Sequence, residues 1–211
     1  YIAFATAILA GCTKELDLKP QDTITDAAFW KTAEDFKLAA NNLYPCLEGQ
    51  DFFETESDIA FSVNNSISNG NYQTTETSAD WNNAYIYIRR SNNILEKAAE
   101  SEIPGEVGMY KGEALFFRAY NYWRLYRLFG GVPLITRVLD LDSPELFATQ
   151  ASRDKVADMI ISDLKEAADL LPLQSQLTSA DKGRITKGAA DALRARVALF
   201  EGTWQKYHGG D

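Results

Sequence analysis

Helical periodicity runs through most of the chain. From Thr32, with Asp35 three residues on as the second half of a capping pair, apolar side chains fall at Ala33, Phe36, Ala40, Leu43 and Tyr44 until Pro45 interrupts the run. A second helix is predicted by Trp81, Tyr85, Ile88, Asn92, Leu95 and Ala99, which recur at alternating steps of four and three. Asn92 lies on this otherwise apolar stripe, so once buried it needs hydrogen-bond partners. The third predicted helix runs from Glu106 to Phe129 and is stopped by Gly130-Gly131 and Pro133. Ser152 opens a fourth, with Val156, Ile160, Leu164, Ala167 and Leu171 on one face and Pro172 at its end; Thr186 opens a fifth through KGAADALRARVALFEGTW. Between the first two helices, Glu48 to Asp80 is rich in Asn, Ser, Thr and Gly and has no stable period. A connection of that length tends to carry function.

The third helix contains the run EALFFRAYNYWRLYRLFGG. At about 100° per residue, Phe116, Phe117, Tyr120, Tyr122, Trp123, Tyr126 and Phe129 scatter around the whole cylinder. A helix apolar on all sides is flanked by others. The small residues of the fifth helix, Gly188, Ala189, Ala190, Ala192 and Ala195, suit close approach of such a neighbour. Arg118, Arg124 and Arg127 then lay their stems along the apolar surface or pair with carboxylates. The aromatics are predicted as core before they are considered as a sugar-stacking platform. The fold expected is mainly all-α, with long irregular loops.

Composition agrees with a folded chain: 45% of the 211 residues are apolar. The 30 acidic against 21 basic residues give a net charge of −9 without any basic block, which argues against nucleic acid as a partner.

The chain opens YIAFATAILAGC, too short an apolar run to span a bilayer but long enough for the apolar region of a signal peptide. No basic segment precedes it, so the sequence is expected to start inside that peptide. Leu9-Ala10-Gly11-Cys12 resembles the lipobox of bacterial lipoproteins, which implies lipid attachment at Cys12. Residues 1–11 are therefore read as a partial lipoprotein signal peptide, 12–31 as a lipid-anchored tether and 32–211 as the helical domain. Cys46 is left as an odd cysteine, a small core residue and not part of a disulfide framework.

Five segments, taken in order, resemble the N-terminal part of the SusD/RagB family of surface nutrient-binding lipoproteins. They are LAGC, LDLKPQDTITDAAFWKTAEDFKLAANNLY, WNNAYIYIRRSNNIL, EALFFRAYNYWRLYRLFGGVPLI and GRITKGAADALRARVALF. The resemblance implies tetratricopeptide-like hairpins as scaffold and a further C-terminal half. It also implies a cell-surface location at the outer membrane, a SusC-like TonB-dependent transporter as partner, and a glycan, or in the RagB branch a peptide, as ligand, with no catalysis. It carries over no ligand residue, because those of the family follow no fixed motif.

The chemistry legible in the residues is sparse. The single histidine, His208, lies in a Gly-flanked tail, and there is neither a phosphate loop nor a cysteine pair at zinc spacing, so no metal or cofactor is expected. Asp51, Glu54, Glu56 and Asp58 could serve a surface glycoside hydrolase only at a set spatial separation, and a solvated loop is the simpler reading. The candidate ligand residues are Asn69, Asn71, Tyr72, Asp80 and Trp81: an aromatic to stack on a pyranose, with amides and a carboxylate for its hydroxyls. Trp81 also opens the apolar stripe of the second helix, so a core role competes with the ligand role.

Overall fold

The structure is a computed structural model that describes residues 29–47, 49, 69–73 and 76–209. Among them are five α-helices and no strand: α1 (Ala33–Asn41), α2 (Ala79–Ala99), α3 (Pro104–Phe129), α4 (Arg153–Leu170) and α5 (Lys187–His208), with short 3₁₀ turns between. Cys12, the tether up to residue 28 and the acidic group Asp51 to Asp58 lie outside the described residues.

Local chemistry sets the helix starts. Thr32 and Asp35 form the predicted reciprocal cap on α1, Ser78 accepts from the Trp81 amide to open α2, and Pro104 occupies the first turn of α3, where no amide donor is needed. α1 ends at Asn41, earlier than its apolar pattern suggested. Pro45 does not stop it but sits within a 3₁₀ turn, Tyr44–Cys46, that keeps Leu43 and Cys46 buried.

α3 is the axis of the fold. α2 packs on one side of it, α4 on another, and α1 against a third; α5 then stacks on α4. Phe116, Phe117, Tyr122, Trp123 and Tyr126 are accordingly all buried, while Phe129, at the helix end, is partly exposed. The small residues of α5 do not serve the aromatic helix as expected. Their neighbour is α4; Ala190 is buried, but Ala192 and Ala195 face outward. α5 reaches α3 through Phe200, edge-on to Trp123 at 5.2 Å and to Tyr126 at 5.7 Å.

A buried ion pair ties α3 to the segment before α5. The Glu113 carboxylate, 0% exposed, accepts two hydrogen bonds from Arg184, at 2.8 and 2.6 Å, and a third from the Tyr44 hydroxyl at 2.8 Å. The same hydroxyl accepts from the Ile185 amide at 2.9 Å, and Arg184 reaches Asn41 at 2.7 Å. Burial pushes the Glu113 carboxyl up, and Arg184 and Tyr44 pull it back.

The crossing from α3 to α4 depends on Gly131. A Cβ there would lie 2.3 Å from the Ala151 carbonyl oxygen, part of a backbone that bonds Val132 and cannot rotate away. Gly131→Ala is expected to lower the unfolding free energy by about 1–3 kcal/mol, the range for an overpacked site, measured by denaturant titration.

Candidate ligand-binding site

After α3 the chain runs along α2 from Val132 to Leu139, with no strand beside it among the described residues. Its backbone polar groups would be costly to leave unpaired, and side chains supply the partners. Tyr85 donates to the Pro133 carbonyl at 2.7 Å, and the Tyr122 hydroxyl accepts from the Ile135 amide at 2.6 Å. The Asn92 amide donates to the carbonyls of Ile135 at 3.0 Å and Arg137 at 3.1 Å. Arg118 donates to Thr136, Glu96 accepts from the Val138 amide at 2.7 Å, and Arg89 donates to the Leu139 carbonyl at 2.6 Å. Tyr85, Arg89, Asn92 and Glu96 are spaced four, three and four apart, one face of α2. That face reads the backbone of the extended strap as a neighbouring strand would.

Arg118 anchors the arrangement from α3. Its guanidinium binds Asp163 of α4 through two hydrogen bonds, at 2.7 and 2.8 Å, and also donates to the Asn92 side-chain oxygen at 3.0 Å. Burial pushes the Asp163 carboxyl up and the Arg118 fork draws it down. Burial likewise pushes the Tyr122 phenol up to about 12 and raises that of Tyr85, so both stay protonated and able to donate.

Between α2 and the strap lies a cleft of about 700 Å³, within the span of roughly 300–1,000 Å³ usual for small-ligand sites. α2 contributes Trp81, Tyr85, Ile88 and Arg89 to it, and the strap contributes Pro133, Ile135, Arg137 and Leu139. The far rim is the turn that follows, with Asp140, Leu141, Glu145 and Leu146. This turn is braced. Arg137 grips Glu145 through two hydrogen bonds at 2.8 and 2.7 Å, and Ser143 accepts from the Asp140 amide at 2.8 Å. It nevertheless presents Leu141 fully exposed and Phe147 88% exposed, an unusual concentration of apolar surface.

Of the residues singled out from sequence, Trp81 lines the cleft. Its ring also meets Tyr85 at 5.2 Å and Phe129 at 5.1 Å, so one side chain both packs on its aromatic neighbours and faces the cleft. Asp80, next to it, is paired with Arg124 at 3.1 Å. Asn69 and Asn71 form a local turn, with the Asn71 amide donating to the Asn69 side chain at 3.0 Å, and Tyr72 is exposed; none of the three lines the cleft. His208 ends α5 stacked on Trp204 at 4.1 Å. The strap and its turn carried no signal in the hydrophobic pattern. The one legible trace was the polar stripe Tyr85, Arg89, Asn92 and Glu96, of which only Tyr85 and Asn92 stand out by period.

Among the described residues no group of three or more His, Cys, Asp or Glu side chains could hold a metal ion, and no helix is long and apolar enough to cross a membrane.

The helical scaffold thus holds an extended strap over an aromatic cleft, and similarity to known proteins gives the family. The sequence model of the SusD-like family, described as starch-binding and associating with the outer membrane, matches residues 16–199. A SusD-like protein of Formosa agariphila, P38, is 32% identical over 194 residues, covering 82% of this chain and 37% of its own. Among solved structures, a SusD-like carbohydrate-binding protein from Bacteroides fragilis superposes with a TM-score of 0.72 at 25% identity, over 84% of this chain and 39% of that one. A laminarin-binding SusD-like protein does so with a TM-score of 0.63 at 26% identity, over 82% and 40%. The chain belongs to the SusD-like family. It spans 37% to 42% of the length of the curated relatives it matches.

Proposed function

We propose that the protein is a cell-surface lipoprotein, anchored through Cys12, that captures oligosaccharides and hands them to a SusC-like TonB-dependent transporter without altering them. The observation that carries the binding role is the cleft itself: Trp81 and Tyr85 offer ring surface for the apolar face of a pyranose, beside charged groups that suit hydroxyls. The laminarin bound by a structural neighbour supports a glycan as the ligand class. Asn69, Asn71 and Tyr72, together with Asp80, are a second group through which a longer chain would be held.

The whole protein, titrated calorimetrically with neutral and charged oligosaccharides and with peptides while chromatography follows any product, tests this reading. Binding of a glycan without product supports it. Product would make the protein a surface glycoside hydrolase. A response to peptides alone would place it with the RagB branch, for which the apolar rim of Leu141 and Leu146 is suited. Trp81→Ala is expected to weaken glycan binding by on the order of tenfold, about 1.4 kcal/mol, while a thermal melt shows the helices intact.

A further inference from the structure

Four charged side chains line the cleft, and they are not equivalent. Glu145 is held by the two hydrogen bonds of Arg137. Arg137 is held in its charged form chiefly by that carboxylate, with Asp140 and Glu96 adding to the same field. Glu145, one of the two acids of the cleft, is therefore matched by Arg137. Arg89 stands apart: it is exposed, it spends one donor on the neutral Leu139 carbonyl at 2.6 Å, and no carboxylate of a described residue lies within ion-pair distance of it. A guanidinium carries five N–H donors in a planar fork, suited to a two-oxygen anion.

We infer that Arg89 selects, within this cleft, a glycan bearing an anionic substituent, a uronate carboxylate or a sulfate ester, whose sugar ring rests against Trp81. The inference depends on the glycan reading above and narrows it. Trp81 and Arg89 are eight residues apart on α2, a little over two turns or about 12 Å along the axis, and both line the same cleft. That separation suits neighbouring units of one oligosaccharide. The two arginines and two acids of the cleft sum to zero and the chain as a whole carries −9, so long-range attraction of a polyanion is not what operates. Recognition is a short-range, charge-assisted contact at a single guanidinium.

The test uses the whole protein with three tetrasaccharide probes: galacturonate, a sulfated galactan and laminari-oligosaccharide. The uronate or the sulfated probe should bind at least tenfold more tightly than the neutral one, and whichever of the two binds identifies the anion. Arg89→Ala should remove that preference, with a loss on the order of tenfold to a hundredfold for the anionic probe and little change for the neutral one. Arg89→Lys, which keeps the charge and a donor for Leu139, should retain part of the preference, separating charge recognition from any slackening of the strap. Equal binding of all three probes, or a neutral preference, overturns the inference and leaves glycan capture standing. Failure to bind any sugar overturns both. An equal loss for neutral and anionic probes in Arg89→Ala would show Arg89 to be only a support for the strap.

Discussion

Replacing Arg184 with alanine is expected to lower the unfolding free energy by about 3–5 kcal/mol, the cost of stranding a buried charge. Glu113 is fully enclosed, and Arg184 supplies two of the three hydrogen bonds its carboxylate receives. The Arg184 side chain is 9% exposed, so the pair lies largely out of water. Without it, burial would drive the Glu113 carboxyl further above its unfolded value. Such a group adds stability below its unfolded pKa and loses it as pH rises through the folded one. The deficit of Arg184→Ala should therefore shrink in mildly acidic solution, where Glu113 takes up a proton, and be largest at neutral pH. Guanidinium titrations at the two pH values measure this; a deficit independent of pH would mean that the network is not governed by the Glu113 charge. Lys111 and Glu166, at 2.7 Å but 36% and 52% exposed, provide the control. Breaking that pair should cost less than about 1 kcal/mol.

Arg118→Ala is expected to have a comparable effect on stability, again about 3–5 kcal/mol, and in addition to reach the site. It leaves Asp163, whose side chain is 8% exposed, without its bidentate partner, and it removes the donors to Asn92 and Thr136. Asn92, fully buried, loses the bond that orients its amide toward the carbonyls of Ile135 and Arg137. Two consequences should appear together: a lower denaturation midpoint and faster amide exchange in residues 133–139. Tyr122→Phe, which removes one hydroxyl from the same strap, should cost only about 1 kcal/mol. Exchange in the strap that stays as slow as in the parent would show that Arg118 supports the α3–α4 contact alone.

The two networks show how far a sequence pattern reaches. The position of Asn92 on an apolar stripe signalled that partners must exist, and they do, but the pattern could not say that they were the carbonyls of a segment more than forty residues away. Arg118 read as a snorkelling or paired arginine on an aromatic helix. Its partner Asp163 belongs to the inward face of α4, where the period marks a buried position without revealing which charge lies opposite. Arg89 and Glu96 fall between the apolar positions of α2 and carry no signal by period, yet both bond to the strap. The small residues of α5 suggested a close neighbour correctly and the identity of that neighbour wrongly, because a stripe of alanines specifies a distance of approach and not a partner.

By itself the sequence determined where the helices lie, the reciprocal cap of Thr32 and Asp35, and the burial of α3. These depend on local periodicity and on side chains within a few residues of one another, which linear order preserves. It also carried the family resemblance, through segments whose order is itself sequence information. The tertiary structure alone decided that the extended segment after α3 lies along α2, and that Arg118, Asn92 and Asp163, from three helices, converge beneath it. It also decided that Trp81 and Leu146 face one cleft. Those relations depend on how helices cross and on which long-range polar groups must find each other once water is excluded. Period and composition leave both open.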